Sequence, residues 1–173
     1  VIDNFWNLKF IKFPSDIFFL DYKKISNLDG WGNTSINNLK NSIKKSSTIS
    51  LDKFIFALGI RHIGQENAKI LANYFIKSKK FLELLTLSKR KKILINLKPL
   101  DGMGDIQIKS IDTFFSNKKN IDVLEQLIKY LKIKNHKTLN EKGLFSGKAI
   151  MFTGGFEKMS RSEAKSLAEE NGA

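Results

Sequence analysis

The sequence contains no cysteine and only two prolines among its 173 residues. Without cysteine, disulfide bridges and thiolate metal sites are excluded. No apolar run approaches the roughly 18 residues that a membrane-spanning helix needs, so no membrane partner is expected. No signal peptide precedes the first amphipathic segment, and a cytoplasmic location is therefore expected. His62 and His136 have no second histidine within a helical turn, so no metal site is predicted.

Arginine is also scarce, since only Arg61, Arg90 and Arg161 are arginines among 30 basic residues. The net charge is nevertheless +13, and residues 140–173 are neutral, so residues 1–139 carry the whole excess. One interpretation is a polyanion partner for that part of the chain, and the other is a lysine-rich surface that reflects genome composition. Because bidentate reading of guanine is mainly done by arginine, any nucleic acid should be bound without sequence preference.

A twelve-residue unit occurs three times, as LDGWGNTSINNL (28–39), IRHIGQENAKIL (60–71) and LDGMGDIQIKSI (100–111). In each copy an apolar residue immediately precedes a glycine. Further apolar residues follow four and seven positions after that glycine, which places them on one face of a helix. Helical patterns also precede the three turns, at 17–25, 51–58 and 81–97. The repeat is therefore predicted to be a helix, a tight hairpin and a second helix.

The hairpin of this unit has the features of a phosphate-binding turn. The first amides of a helix lack partners, and the helix dipole makes that end positive. Glycine removes the Cβ that would keep an oxygen away from those amides, and it permits positive φ. Such a turn binds a phosphate whatever base is attached. A single turn of this kind is more often a plain connection between helices, but three in a basic segment favour phosphate binding.

The repeats resemble the helix-hairpin-helix motifs of the bacterial NAD-dependent DNA ligase family. FALGIRHIGQENAKILANYF (56–75) is the most specific match, and GWGNTSINNL and GMGDIQIKSI support it. Residues 1–20 resemble the second helix of a further repeat, so three full hairpins and half of a fourth are expected. Ile36 and Ile108 stand where the family usually has a small residue. The chain begins with valine rather than methionine, and we expect it to be a fragment of a longer protein.

The C-terminal segment resembles the start of a BRCT domain, a module that ends these ligases. The segment KAIMFTG is predicted to be a strand because its residues are β-prone and alternate. A helix should follow, with Ser160 and Glu163 forming a capping box. In some BRCT domains the residues that match Thr153 and Gly154 hold a phosphate; otherwise these two residues simply close the strand.

The predicted fold class is mainly α, with tandem helix-hairpin-helix repeats followed by a truncated α/β BRCT start of one strand and one helix. The expected divisions are a DNA-binding domain at 1–135, a polar linker at 136–143 and the N-terminal part of a BRCT domain at 144–173.

For a parent enzyme, the resemblance implies the sealing of nicks in duplex DNA during replication and repair. NAD would adenylate the enzyme, AMP would pass to a 5′-phosphate, and the 3′-hydroxyl would attack with magnesium. The family's lysine nucleophile, NAD pocket and structural zinc site would lie upstream of Val1. No catalytic residue, cofactor or metal is therefore predicted in this segment, and it should be inactive alone. The expected partner is nicked duplex DNA, bound by a monomer in the bacterial cytoplasm at the nucleoid.

The predicted DNA-binding residues lie in the three hairpins and at the helix starts that follow them: Gly30, Gly32, Asn33, Arg61, His62, Gly64, Gln65, Gly102, Gly104 and Asp105. The basic run at 89–92 is predicted to be either a solvated helix face or an additional contact to the DNA backbone. Trp31, beside a hairpin glycine, is predicted to belong to the core rather than to stack on a base.

Two other functions are consistent with hairpins of this kind. A DNA glycosylase would place a catalytic lysine soon after the hairpin glycines, or an aspartate at a defined place further along. The lysine version fails, because no lysine directly follows the second glycine in any of the three copies. A non-catalytic DNA-scaffolding or nuclease accessory module would share the hairpins, but the BRCT-like segment argues against it.

Overall fold

The structure, a computed structural model, describes residues 1–136, 143–146, 148–156 and 159–172. The chain divides into two units, Val1–Asn135 and His136–Ala173. Most of the predicted linker at 136–143 lies outside the described residues. No helix in the described ranges combines the length and apolar character needed to cross a membrane.

The first unit is mainly helical, as predicted. Its α-helices are α1 (Ile2–Asn7), α2 (Tyr22–Ser26), α3 (Asn33–Ser46), α4 (Leu51–Ala57), α5 (Gln65–Phe75), α6 (Ser78–Leu82), α7 (Leu87–Leu97), α8 (Asp105–Ser116) and α9 (Lys118–Leu127). Two 3₁₀ helices lie at Pro14–Phe19 and Glu83–Leu85. Two short strands, β1 (Thr48–Ser50) and β2 (Lys132–Lys134), complete the unit.

A first apolar cluster joins α1, α2 and the start of α3. Phe5 and Ile25 are fully buried in it, and Ile36 of α3 is 6% exposed. The ring of Trp31 lies 5.4 Å from that of Phe5, centroid to centroid, so Trp31 belongs to the core as predicted. The first hairpin is therefore anchored by its own apolar residue.

A second and larger cluster joins α4 through α9. The fully buried ring of Phe81 lies near its centre, with edge-to-face contacts to Phe54, Phe75 and Phe115 at centroid distances of 6.3, 5.4 and 5.8 Å. Such aromatic pairs contribute about 0.5–1.5 kcal/mol beyond the burial of their area. The helices that carry the second and third hairpins are thus held on one shared core.

Long-range contacts connect the beginning of the first unit to its end. Strands β1 and β2 pair in parallel, with Ile49 opposite Ile133. The Ser15 hydroxyl donates a 3.0 Å hydrogen bond to the Gln126 side-chain oxygen of α9. These contacts hold together segments that are more than eighty residues apart in sequence.

Two of the predicted helical stretches are interrupted. Residues 17–25 do not form one helix, because the backbone of Leu20 is not helical, with φ −54° and ψ 131°, and Asp21 starts α2 by accepting hydrogen bonds from the amides of Lys23 and Lys24. Residues 81–97 are divided among α6, a 3₁₀ helix and α7, with a break at Thr86, whose φ and ψ are −90° and 119°. The prediction of continuous helices was wrong at both places.

The second unit contains helix α10 (Arg161–Glu170). Ser160 and Glu163 form the predicted capping box. The Glu163 carboxylate accepts a 2.7 Å hydrogen bond from the Ser160 amide, and the Ser160 hydroxyl accepts a 3.2 Å hydrogen bond from the Glu163 amide. The predicted strand KAIMFTG is absent, because residues 148–156 are described and contain no strand. A single β-prone segment needs the backbone of a partner strand, and none pairs with it within the described ranges.

Candidate nucleic-acid interface

The three hairpins, residues 28–32 (first), 60–64 (second) and 100–104 (third), share one backbone path. Each opens with a turn closed by a backbone hydrogen bond across three residues: Trp31 N to Leu28 O at 3.2 Å, Ile63 N to Ile60 O at 3.0 Å and Met103 N to Leu100 O at 3.1 Å. The third residue of each turn has positive φ, +79° at Gly30, +63° at His62 and +79° at Gly102. Positive φ at this position is typical of a type II turn.

Histidine at the second hairpin takes a conformation that glycine takes in the other two. A left-handed conformation costs an ordinary L-residue about 1–2 kcal/mol. Asn67 of α5 supports this turn, because its side-chain amide donates a 3.1 Å hydrogen bond to the His62 carbonyl oxygen.

A glycine precedes each following helix and serves as its N-cap. Gly32, Gly64 and Gly104 have negative φ and ψ near 180°, and their carbonyls accept the first helical hydrogen bonds at 3.1, 2.9 and 3.1 Å. No side chain caps α3, α5 or α8 within the part of the chain that the structure describes. The first amides of these three helices therefore remain available to an external acceptor.

The space in front of two of these glycines is open. A Cβ added at Gly32 or Gly64 would meet no heavy atom within 4 Å, and neither residue has positive φ. The protein's own fold therefore does not require glycine at either position. An approaching oxygen would benefit from the missing Cβ, which is the chemistry expected of a phosphate-binding turn.

The third hairpin is more closed than the other two. A Cβ at Gly102 would lie 2.8 Å from Ile70 Cδ1 of α5, and one at Gly104 would lie 3.2 Å from the Gln107 side-chain oxygen. Helix α8 also begins with Asp105, whose carboxylate lies 3.7 Å from Lys98 Nζ. A carboxylate at a helix start offsets the positive end of the dipole, which disfavours a second anion there.

The first turn of each helix differs in charge as well. Helix α3 has no acidic residue in its first turn, and its last turn contains Lys44 and Lys45. Helix α5 has Glu66 in its first turn, 3.7 Å from Lys69 Nζ. By open space, the first and second hairpins are more favourable for an anion than the third.

All ten residues predicted at the hairpins are solvent-exposed: Gly30, Gly32, Asn33, Arg61, His62, Gly64, Gln65, Gly102, Gly104 and Asp105. The apolar residues between them point inward, with Ile63 4% and Met103 2% exposed. The third hairpin packs on α5, the helix that follows the second hairpin, because a Cβ added at Gly102 would lie 2.8 Å from Ile70 Cδ1.

The four residues of the basic run at 89–92 differ in their exposure to solvent. Lys89, Lys91 and Lys92 are exposed, whereas Arg90 is only 4% exposed. The Arg90 guanidinium donates to the carbonyl oxygens of Phe115 and Leu84, the latter at 3.4 Å, and to the Ser116 hydroxyl at 3.1 Å. Arg90 therefore joins α7, the second 3₁₀ helix and α8, and it is not available to DNA.

In the second unit, Gly154 has φ +85°, and its carbonyl accepts 3.2 and 2.9 Å hydrogen bonds from the Arg161 guanidinium. Thr153 is exposed beside it. The pair thus forms part of a turn before α10, and a phosphate contact at Thr153 and Gly154 stays a prediction.

Sequence reasoning did not identify a groove beside the second hairpin. Arg61 and His62 line it together with residues of α8, among them Ile106, Lys109, Ser110 and Thr113. The α8 residues recur at helical spacing, so the sequence alone could have indicated that they share one face of the helix. Their proximity to the second hairpin, by contrast, depends on tertiary packing.

Comparison with known proteins agrees with this geometry. Residues 53–124, which include the second and third hairpins, match the family described as "Helix-hairpin-helix motif". The chain is 47% identical over 171 residues to a DNA ligase of Pelagibacter ubique, covering 99% of this chain and 25% of that protein. It is 43% identical over 168 residues to a DNA ligase of Rickettsia bellii, covering 92% of this chain and 24% of that protein. It is 42% identical over 173 residues to a DNA ligase of Rickettsia typhi, covering 95% of this chain and 25% of that protein.

The chain therefore spans about a quarter of the length of the curated relatives that it matches. The resemblance found in the hairpin residues is confirmed: over nearly its whole length, this chain with its helix-hairpin-helix motif is homologous to part of a bacterial DNA ligase.

Proposed function

We propose that this chain is a DNA-binding part of an NAD-dependent DNA ligase, and that its hairpins hold the phosphates of duplex DNA without sequence preference. The observation that carries the proposal is the open space at Gly32 and Gly64, where the chain itself does not require glycine. Each open glycine lies at the start of an uncapped helix, which is the most favourable place on a helix for a phosphate.

The charge distribution supports the same partner. The first 139 residues carry the whole net charge of +13, almost entirely on lysine. Lysine acts as a point charge on phosphate, whereas backbone amides contact phosphate oxygens only. Bidentate reading of guanine is mainly done by arginine, so binding should follow the backbone and not the sequence.

In the whole protein, this part would hold nicked duplex DNA while other parts carry out the sealing reaction in replication and repair. NAD, magnesium and a structural zinc would belong to those other parts, and this segment alone would be inactive. Residues 144–173 would begin a BRCT-like module, for which sequence resemblance and the capped helix α10 are the support. The protein would act as a monomer in the cytoplasm, at the nucleoid.

Within the interface, the first and second hairpins would hold phosphate more tightly than the third. Gly32 and Asn33, and likewise Gly64 and Gln65, would contact phosphate through their amides, with Arg61 and His62 at the side. Gly102, Gly104 and Asp105 would contribute less, because the third hairpin packs on α5 and starts with a carboxylate.

A salt titration of DNA binding tests this proposal. We expect residues 1–173 to bind two duplexes of unrelated sequence with equal affinity between 50 and 200 mM salt. The affinity should fall with a log–log slope of about −0.9 for each phosphate neutralised, because each contact releases counterions. A strong preference for one duplex, or an affinity that does not change with salt, would contradict the proposal.

A further inference from the structure

A groove of about 490 Å³ lies between the second hairpin and helix α8. This volume is within the roughly 300–1,000 Å³ of ligand-binding clefts. Arg61 and His62 form one side, and Lys109, Ser110 and Thr113 of α8 form the other. The groove thus begins at a hairpin that we assign to phosphate binding and continues onto a neighbouring helix.

Charges on α8 are segregated with respect to this groove. Asp105 and Asp112 do not line it, and each pairs with a cation, Lys98 at 3.7 Å and the buried Arg90 at 3.0 Å. Lys109 and Arg61 do line the groove, and neither forms an ion pair with the described residues. No carboxylate is among the described residues that line it, so the groove is cationic although α8 itself contains two acids and one base.

Two polar side chains of the groove already use a donor within the protein, since the Thr113 hydroxyl donates to the Lys109 carbonyl oxygen at 2.8 Å and the Asn120 side-chain amide to the Phe114 carbonyl oxygen at 3.2 Å. Two others keep a donor free. The Ser110 hydroxyl has no hydrogen-bond partner within the described ranges, and the Asn117 side-chain oxygen already accepts from the Lys119 amide, which leaves its NH₂ group to donate. A phosphodiester offers acceptors only, so it complements lysine, arginine, hydroxyl and amide donors together. Ile106, 63% exposed, adds an apolar surface of the kind that a deoxyribose ring can contact.

From these observations we infer that the DNA strand held at the second hairpin continues through this groove, where Lys109 and Ser110 bind a neighbouring phosphate. The inference rests on the proposed function, since it takes the second hairpin as a phosphate contact. The interface then extends from the hairpins to one face of α8. Helix α8 would contact DNA directly, although the third hairpin, which precedes it, is the least open of the three.

Removal of the Lys109 charge tests the inference. In Lys109→Gln, the affinity for duplex DNA at 0.1 M salt should fall about five- to tenfold, and the slope of log K against log salt should become shallower by about 1, as expected for one lost phosphate contact. Lys129→Gln is the matched control, because Lys129 is an exposed lysine of the same unit that does not line the groove. It should leave both quantities close to those of the unmodified chain.

A second variant blocks the groove without changing its charge. Ser110→Phe should fill the space beside Lys109 and lower the affinity to a similar extent, while circular dichroism reports an unchanged helix content. Wild-type affinity in this variant would show that no strand passes through the groove and would overturn the inference.

The outcomes separate this inference from the proposed function. If the unmodified chain binds DNA with the expected salt slope but Lys109→Gln behaves like Lys129→Gln, the groove inference is wrong and the proposed function stands. If the unmodified chain shows no salt-dependent binding to any duplex, the proposed function fails and the groove inference fails with it.

Discussion

At the scale of single residues, the glycines of the three hairpins differ in whether their backbone conformation requires glycine. Gly30 and Gly102 have φ +79°, so backbone conformation explains them. Gly32 and Gly64 have negative φ and open space in front of them, so nothing within the fold explains them. A sequence pattern cannot separate these two cases, because the letters are the same, whereas the structure separates them by φ and by the contacts of an added Cβ.

Arg90 is the residue whose role sequence reasoning missed. It stands in a run of lysines and looks like part of a solvated surface, yet its guanidinium is buried against the end of α8. Its neighbours Lys89, Lys91 and Lys92 do remain exposed, as both predicted roles require, a solvated helix face or a contact to the DNA backbone. Burial of a single residue within a charged run depends on partners that lie far away in sequence, here Phe115 and Ser116.

We expect Arg90→Ala to destabilise the protein by about 2–4 kcal/mol, because it leaves the carbonyl oxygens of Phe115 and Leu84 without their donor. Urea unfolding followed by circular dichroism measures this change as a lower midpoint. Lys91→Ala, an exposed neighbour on the same helix, is the control and should stay within about 0.5 kcal/mol of the unmodified chain. Equal stability of the two variants would show that Arg90 does not hold these helices together.

At the scale of elements, local sequence patterns predicted what depends on local chemistry. The turn, the N-cap glycine and the helix after it appear in all three copies as predicted. The breaks at Leu20 and Thr86 were not predicted, since the apolar spacing continues across both. Strands β1 and β2 were also missed, because three-residue strands far apart in sequence carry no recognisable pattern of their own.

In the second unit, by contrast, the sequence predicted an element that does not form. Alternation and β-prone residues predicted a strand at KAIMFTG, but these residues form none. The helix that follows was predicted correctly, since a capping box is complete within four residues. A helix satisfies its backbone internally and a strand does not, so a helical prediction depends less on the rest of the chain.

The capping box of α10 should depend on pH. Hydrogen bonds from the backbone amide and then the hydroxyl of Ser160 lower the pKa of Glu163 below its ordinary value of 4.5. Because the pKa is lower in the folded state, the stabilisation is present above the ordinary value and is lost as the pH falls through the lowered value. The backbone amides of Ala164 and Ala168 should therefore show weaker NMR protection at pH 3 than at pH 6. Glu163→Gln should reduce that difference, and an unchanged difference would contradict the assignment.

At the scale of the whole molecule, the two parts of the chain differ in charge as well as in structure. The basic first unit contains the hairpins, whereas residues 140–173 have no net charge. Charge and repeats together predicted a DNA backbone as the partner, and homology to part of a bacterial DNA ligase agrees with that prediction. The groove on α8 was beyond sequence reasoning, because it forms only where the second hairpin and α8 pack side by side.

The most direct test of the central claim is the duplex-DNA affinity of Gly64→Val compared with that of Gly155→Val. An added Cβ meets no protein atom within 4 Å at either glycine and neither has positive φ, so both variants should fold, as circular dichroism would verify. We expect Gly64→Val to weaken binding strongly, since a branched side chain then stands in front of the α5 amides, while Gly155→Val should bind like the unmodified chain. Equal affinities of the two folded variants would contradict the claim that the open hairpin glycines hold phosphate.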